Sequence, residues 1–138
     1  MDGTLADLYG VNNWLAYLTA EDVKPYAEAS TLVRMAVLAK ALNKAQRRGH
    51  KICVVSWLSK TGSPAYNKAV AEVKRAWLAK HLPSVSWDEI NIVKYGTPKS
   101  LFCDSAHDIL FDDELQNRQA WAGKAYTPDA ILTVLKNI

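Results

Sequence analysis

At 138 residues the chain has the size of one ordinary domain. Hydrophobic residues make up 49% and charged residues 22%, which excludes a disordered chain. The net charge of +3 is mild, so nucleic acid is not the expected partner. No apolar run approaches the ~20 residues of a membrane-spanning helix. The start, Met1-Asp2-Gly3, lacks the basic-then-apolar pattern of a leader. A cytoplasmic protein is therefore expected. Cys53 and Cys103 lie in or beside apolar runs and are expected to be reduced, buried and hydrophobe-like.

Thr4 to Tyr26 carries Leu5, Leu8, Trp14, Leu15 and Leu18 at roughly helical spacing. One or two short helices are expected there, stopped by Lys24-Pro25. Ala27 to Arg48 predicts a long helix with Leu32, Met35, Leu38, Ala39, Leu42 and Ala45 on one stripe. Gly49 follows as its terminator. Lys51 to Trp57 is a short apolar, β-branched run that predicts a buried parallel strand. After the polar loop Ser59 to Pro64, Ala65 to His81 predicts a second helix with Val70, Val73, Trp77 and Leu78 inward. Lys68, Lys74, Arg75 and Lys80 then form a basic, solvated face.

Ile90 to Val93 and Asp108 to Phe111 predict two further strands. Leu115 to Trp121 predicts a short helix, Lys124 to Tyr126 a last extended piece and Pro128 to Asn137 a closing helix. Alternating strands and helices imply βαβ units, hence an α/β fold with a parallel sheet in a single domain over 1–138.

In an open parallel sheet, functional groups gather where strands end. Asp2-Gly3-Thr4, Ser56, Lys99 and Asp112-Asp113 occupy such places. Two adjacent carboxylates after an apolar strand suit a hard cation such as Mg²⁺. They suit equally a cap on the following helix. Ser56 can bind phosphate through its hydroxyl and nearby amides, although a lone serine more often simply ends a strand. Lys99 can neutralise a phosphate oxygen or be a solvated loop lysine.

Taken together and in order, these segments resemble the haloacid dehalogenase (HAD) superfamily. Its first motif, Asp-x-Asp-Gly-Thr, is matched from its second position by Met1-Asp2-Gly3-Thr4. The serine ending the next strand is matched by Ser56 in Val-Val-Ser-Trp. The lysine is matched by Lys99, with Lys94 in reserve, and the acidic pair by Asp112-Asp113. The resemblance implies a three-layer Rossmann-like parallel sheet with helices on both faces and a reduced cap over about 8–26. It implies an Mg²⁺-dependent phosphatase acting on a phosphorylated small molecule or nucleotide. Asp2 would be the catalytic acid and base. Thr4, Ser56 and Lys99 would hold phosphate, and Asp2, Asp112 and Asp113 would hold the metal.

The family's nucleophile would stand one residue before Met1, at the end of a strand between those closed by Ser56 and Phe111. The chain as written is therefore expected to lack turnover. Two readings follow: a phosphatase with a truncated N-terminus, or a non-catalytic binding or inhibitor protein on the same scaffold, with a protein partner or homo-oligomer. Buried sheets tolerate no empty position, so the strands ending at Ser56 and Phe111 are expected to pair directly or to be bridged by a neighbouring chain.

Overall fold

The computed structural model describes residues 1–138. Strand β1 (Ala6–Asp7) pairs antiparallel with β2 (Ser30–Thr31). Between them lie a 3-10 turn (Leu8–Gly10) and helices α1 (Trp14–Thr19) and α2 (Lys24–Glu28). Lys24-Pro25 thus opens a helix instead of stopping one. Proline suits a first helical turn, where its missing N–H would have no intrahelical acceptor. This 8–26 segment lies on α4 (Pro64–His81), where Leu8, Tyr26, Tyr66 and Val70 share a small core. The Glu21 carboxylate ties it down further by accepting from the amide and hydroxyl of Ser63.

Helix α3 (Met35–Arg47) starts eight residues later than the sequence predicts, because Ser30 and Thr31 are drawn into pairing with β1. Leu32 is consequently exposed, outside the apolar stripe. Leu38, Leu42 and Ala45 face the core as expected. Gly49, at φ +93°, turns the chain out of the helix, a conformation that glycine adopts without steric cost. Helix α4 begins at Pro64, where the Ser63 hydroxyl accepts from the Tyr66 amide.

Two βαβ units follow. In the first, β3 (Cys53–Trp57) pairs parallel with β4 (Glu89–Val93) across α4. In the second, β5 (Ile109–Phe111) pairs parallel with β6 (Lys124–Tyr126) across α5 (Leu115–Ala120). Helix α6 (Ile131–Lys136) closes the chain against α3. The main core joins Leu38 and Leu42 of α3, Val54 of β3, Trp77 and Leu78 of α4 and Ile131 and Leu135 of α6.

The parallel α/β character is as predicted, but the single sheet is not. The strands form three separate two-stranded sheets. Nor do β3 and β5 close upon each other: β3 pairs only with β4 and β5 only with β6. A groove of about 470 Å³ lies between them, lined by Lys51–Val55 on one side and Ile109–Phe111 on the other. The same opening corrects the expectation for Cys53, which is exposed and borders the groove. Cys103 is half-buried in a loop, and both thiols are free. No helix is long and apolar enough to cross a membrane.

Candidate functional site

Residues 1–6 fold into a tight loop. The Met1 carbonyl accepts from the amides of Thr4, Leu5 and Ala6, and the Gly3 amide donates to Ala6. Gly3 sits at φ +69°, and a Cβ there would stand 2.3 Å from Oδ2 of Asp113. Only glycine lets the loop lie this close to the acidic pair. Thr4 is buried, its hydroxyl 3.4 Å from Oδ1 of Asp113.

Ser56, next to last in β3, is buried, and its Oγ accepts from Lys74 Nζ at 2.9 Å. Lys74 also meets Oδ2 of Asp2 at 2.7 Å and the carbonyl of Trp57. Its ammonium lies 5.0 Å from the centre of the Tyr26 ring, so the 8–26 segment roofs it. Lys99, in a 3-10 turn after Pro98, is buried and meets Oδ2 of Asp112 at 2.5 Å. It also lies 4.9 Å from the Trp57 ring. Lys94 is exposed and remains outside this cluster.

Asp112 follows β5 directly. Its Oδ1 accepts from the Glu114 amide and from Asn117, while its carbonyl and that of Asp113 accept from Arg118. The predicted Asp2, Thr4, Ser56, Lys99, Asp112 and Asp113 therefore come together where β3 and β5 end. The acidic pair does not cap α5, whose flanking residue Glu114 makes no side-chain cap; Asp112 instead accepts the Glu114 amide two residues on, ahead of the helix.

Lys74 corrects the basic-face reading of α4: its side chain is fully buried. The signal was present in the spacing. Lys74 lies four residues from both Val70 and Leu78, on the apolar stripe of the helix. Asn117 was missed for a different reason, since nothing in Leu115 to Ala120 separates it from a solvent-facing amide.

Burial drives the Lys74 ammonium below its usual pKa, and Lys99 adds to this against the opposing pull of Asp2. Burial also opposes ionisation of Asp112, but the Lys99 hydrogen bond and charge outweigh it and hold the carboxyl below its usual range. Burial, together with Asp112 and Asp113, pushes Glu114 upward. The buried Met1 α-amine is pulled down to about 6, chiefly by desolvation. At the rim, burial and then Asp113 raise the Tyr9 phenol to about 12.

Magnesium requires several oxygen ligands with room for waters. Asp2 faces Lys74, and both oxygens of Asp112 are engaged by Lys99, Asn117 and the Glu114 amide. No three His, Cys, Asp or Glu side chains gather closely enough to hold a metal. These residues do not by themselves fit a magnesium site.

No family model, curated protein or solved structure matches the chain.

Proposed function

We propose that the chain carries the phosphate-holding and proton-transfer half of a HAD-like phosphohydrolase site. The observation behind this reading is the convergence of Asp2, Ser56, Lys99 and Asp112, drawn from four distant segments, at one end of β3 and β5.

Lys74 gives that cluster a working geometry. By donating to Ser56 Oγ it occupies an acceptor position and leaves the hydroxyl proton free to point at a phosphate oxygen. By pairing with Asp2 it orients a side chain that, as the protonated carboxyl, would hand its proton to a leaving group and, as the resulting carboxylate, would take one from water. Lys99 supplies positive charge beside the strand ends. Thr4 offers a further hydroxyl. The substrate class is a phosphate monoester, including nucleotides. In the family the attacking carboxylate stands two residues ahead of Asp2, and on this reading turnover requires it. The family's magnesium would need that further carboxylate as well.

The test compares two polypeptides on p-nitrophenyl phosphate with Mg²⁺. Residues 1–138 are expected to show only background. The same chain, extended upstream by an apolar strand with an aspartate two positions before Asp2, is expected to turn over and to lose activity with Asp2→Asn. A folded but inactive extended chain would overturn the reading. So would Asp2-dependent turnover by residues 1–138 alone, which would require another nucleophile.

A second reading, a non-catalytic binding or inhibitor protein, draws on the pairing of both buried lysines with carboxylates of this chain. It predicts the folded, inactive outcome.

A further inference from the structure

Strand β3 ends at an aromatic pair. Trp57, its last residue, stands 4.9 Å from Tyr95, centroid to centroid. The two planes are inclined by 57°, so neither ring lies flat over the other. Tyr95 is 43% exposed and Trp57 is half-buried. Neither ring belongs to the two apolar cores. An ammonium sits at each end of the pair. Lys60, exposed in the loop after β3, lies 5.7 Å from the centre of the Tyr95 ring, and Lys99 lies 4.9 Å from that of Trp57.

The backbone fixes this arrangement. Tyr95 is the second residue of a turn over Lys94–Thr97, in which the Thr97 amide and hydroxyl both donate to the Lys94 carbonyl. Gly96, the third residue, takes φ +83°, a value that glycine supplies at that position of a turn. The Trp57 indole N–H donates to the Thr97 carbonyl at 2.8 Å. The rings are thus set in advance, and a ligand spends little on ordering them.

The pair adjoins the strand-end cluster. Trp57 follows Ser56 directly, and Lys99 links the indole to Asp112 through its 2.5 Å contact. A phosphate held by Ser56 and Lys99 brings whatever group it carries up to Trp57 and Tyr95. Exposed rings between two cations offer that group two kinds of attraction. Their π faces suit a planar heterocycle, and the ammonium groups draw an anion. A sugar phosphate without a base uses only the second.

We propose that Trp57 and Tyr95 form a base-stacking platform, and that the ligand of this site is a nucleoside monophosphate with its base on the pair and its phosphate at Ser56 and Lys99. The phosphate half rests on the proposed role of Ser56 and Lys99; the base half rests on the aromatic pair.

Titration calorimetry of the whole chain tests it, with adenosine monophosphate, ribose phosphate and adenosine as probes. Adenosine monophosphate should bind about tenfold more tightly than ribose phosphate, the share of one stacked base. It should also bind about tenfold more tightly than adenosine, which lacks the charge-assisted hydrogen bonds of the phosphate. Tyr95→Ser should erase the advantage over ribose phosphate and leave ribose phosphate binding unchanged. Tyr95→Phe should keep the advantage, which separates loss of the ring from loss of the fold. Ser56→Ala should weaken both phosphates alike. Equal affinity for adenosine monophosphate and ribose phosphate would overturn the platform and leave the phosphate-holding reading intact. An advantage that survives Tyr95→Ser would place the base elsewhere and overturn it too. Failure of both phosphates to bind would overturn the phosphate-holding reading and the proposal with it. Adenosine binding as tightly as its monophosphate would reveal a ring site unconnected to the strand ends, and would equally refute the assignment.

Discussion

The Lys74 ammonium stands 2.7 Å from the Asp2 carboxylate, although 72 residues separate them in the chain. The lysine side chain has no exposed surface and that of Asp2 is 17% exposed. A pair so placed is costly to break from one side, because the remaining charge keeps its desolvation and loses its partner.

Lys74→Met should therefore destabilise the fold by about 3 kcal/mol, read as a lowered urea midpoint at unchanged slope. Adding Asp2→Asn to the same chain should return a large part of that loss. If the double variant is as unstable as the sum of the single variants, Lys74 and Asp2 are not energetically coupled.

Gly3→Ala tests the loop that carries Asp2. The substitution meets both a left-handed backbone and the Asp113 carboxylate. A cost of about 1–3 kcal/mol is expected from the backbone strain, with an additional contribution from displacing Asp113. Thermal unfolding measures it. An unchanged midpoint would mean that the loop relaxes freely and that Gly3 does not fix the approach of Asp2 to the acidic pair.

Trp77→Phe isolates a single buried hydrogen bond. The indole N–H donates to the Ala29 carbonyl at 2.8 Å and joins α4 to the residue before β2. Phenylalanine keeps most of the ring and orphans the carbonyl, at a cost of about 1–3 kcal/mol. Trp77→Leu should cost more, through the lost ring volume. Equal stability of wild type and the Phe variant in chemical denaturation would contradict this.

Asp88 supplies the pH dependence. Its carboxylate accepts from the Ile52 amide at 2.7 Å and from Gln46, and the Ile52 hydrogen bond is the main cause of its lowered pKa. A carboxyl with a depressed folded pKa binds fewer protons folded than unfolded, so its stabilisation is present above the unfolded value, about 4. It is lost as pH falls through the folded value. Wild type should exceed Asp88→Asn in stability at neutral pH, and the gap should narrow on acidification below about pH 4. A gap that stays constant from pH 7 to pH 3 would rule Asp88 out as the titrating group.

Several features were legible in the sequence because they depend on neighbours along the chain. The Leu38-Leu42-Ala45 spacing marked α3. The β-branched run around Val54 marked β3, and the Val70, Trp77 and Leu78 spacing marked α4. The positions of Ser56 and Asp112 at strand ends also followed from element order, since strands of βαβ units run in one direction and bring their ends to one side. What remained hidden depended on distance in space. Lys74 shares its helical face with Val70 and Leu78, yet composition placed it in solvent. Only the arrival of Asp2 and Ser56 makes an ammonium tolerable there. Pairing of Ser30-Thr31 with Ala6-Asp7 shortened α3, because a local helical preference gave way to a long-range pairing. The split between β3 and β5 was equally illegible. Hydrophobic pattern tells a strand that it is buried, whereas tertiary structure decides which edge finds a partner, and these two edges face a groove.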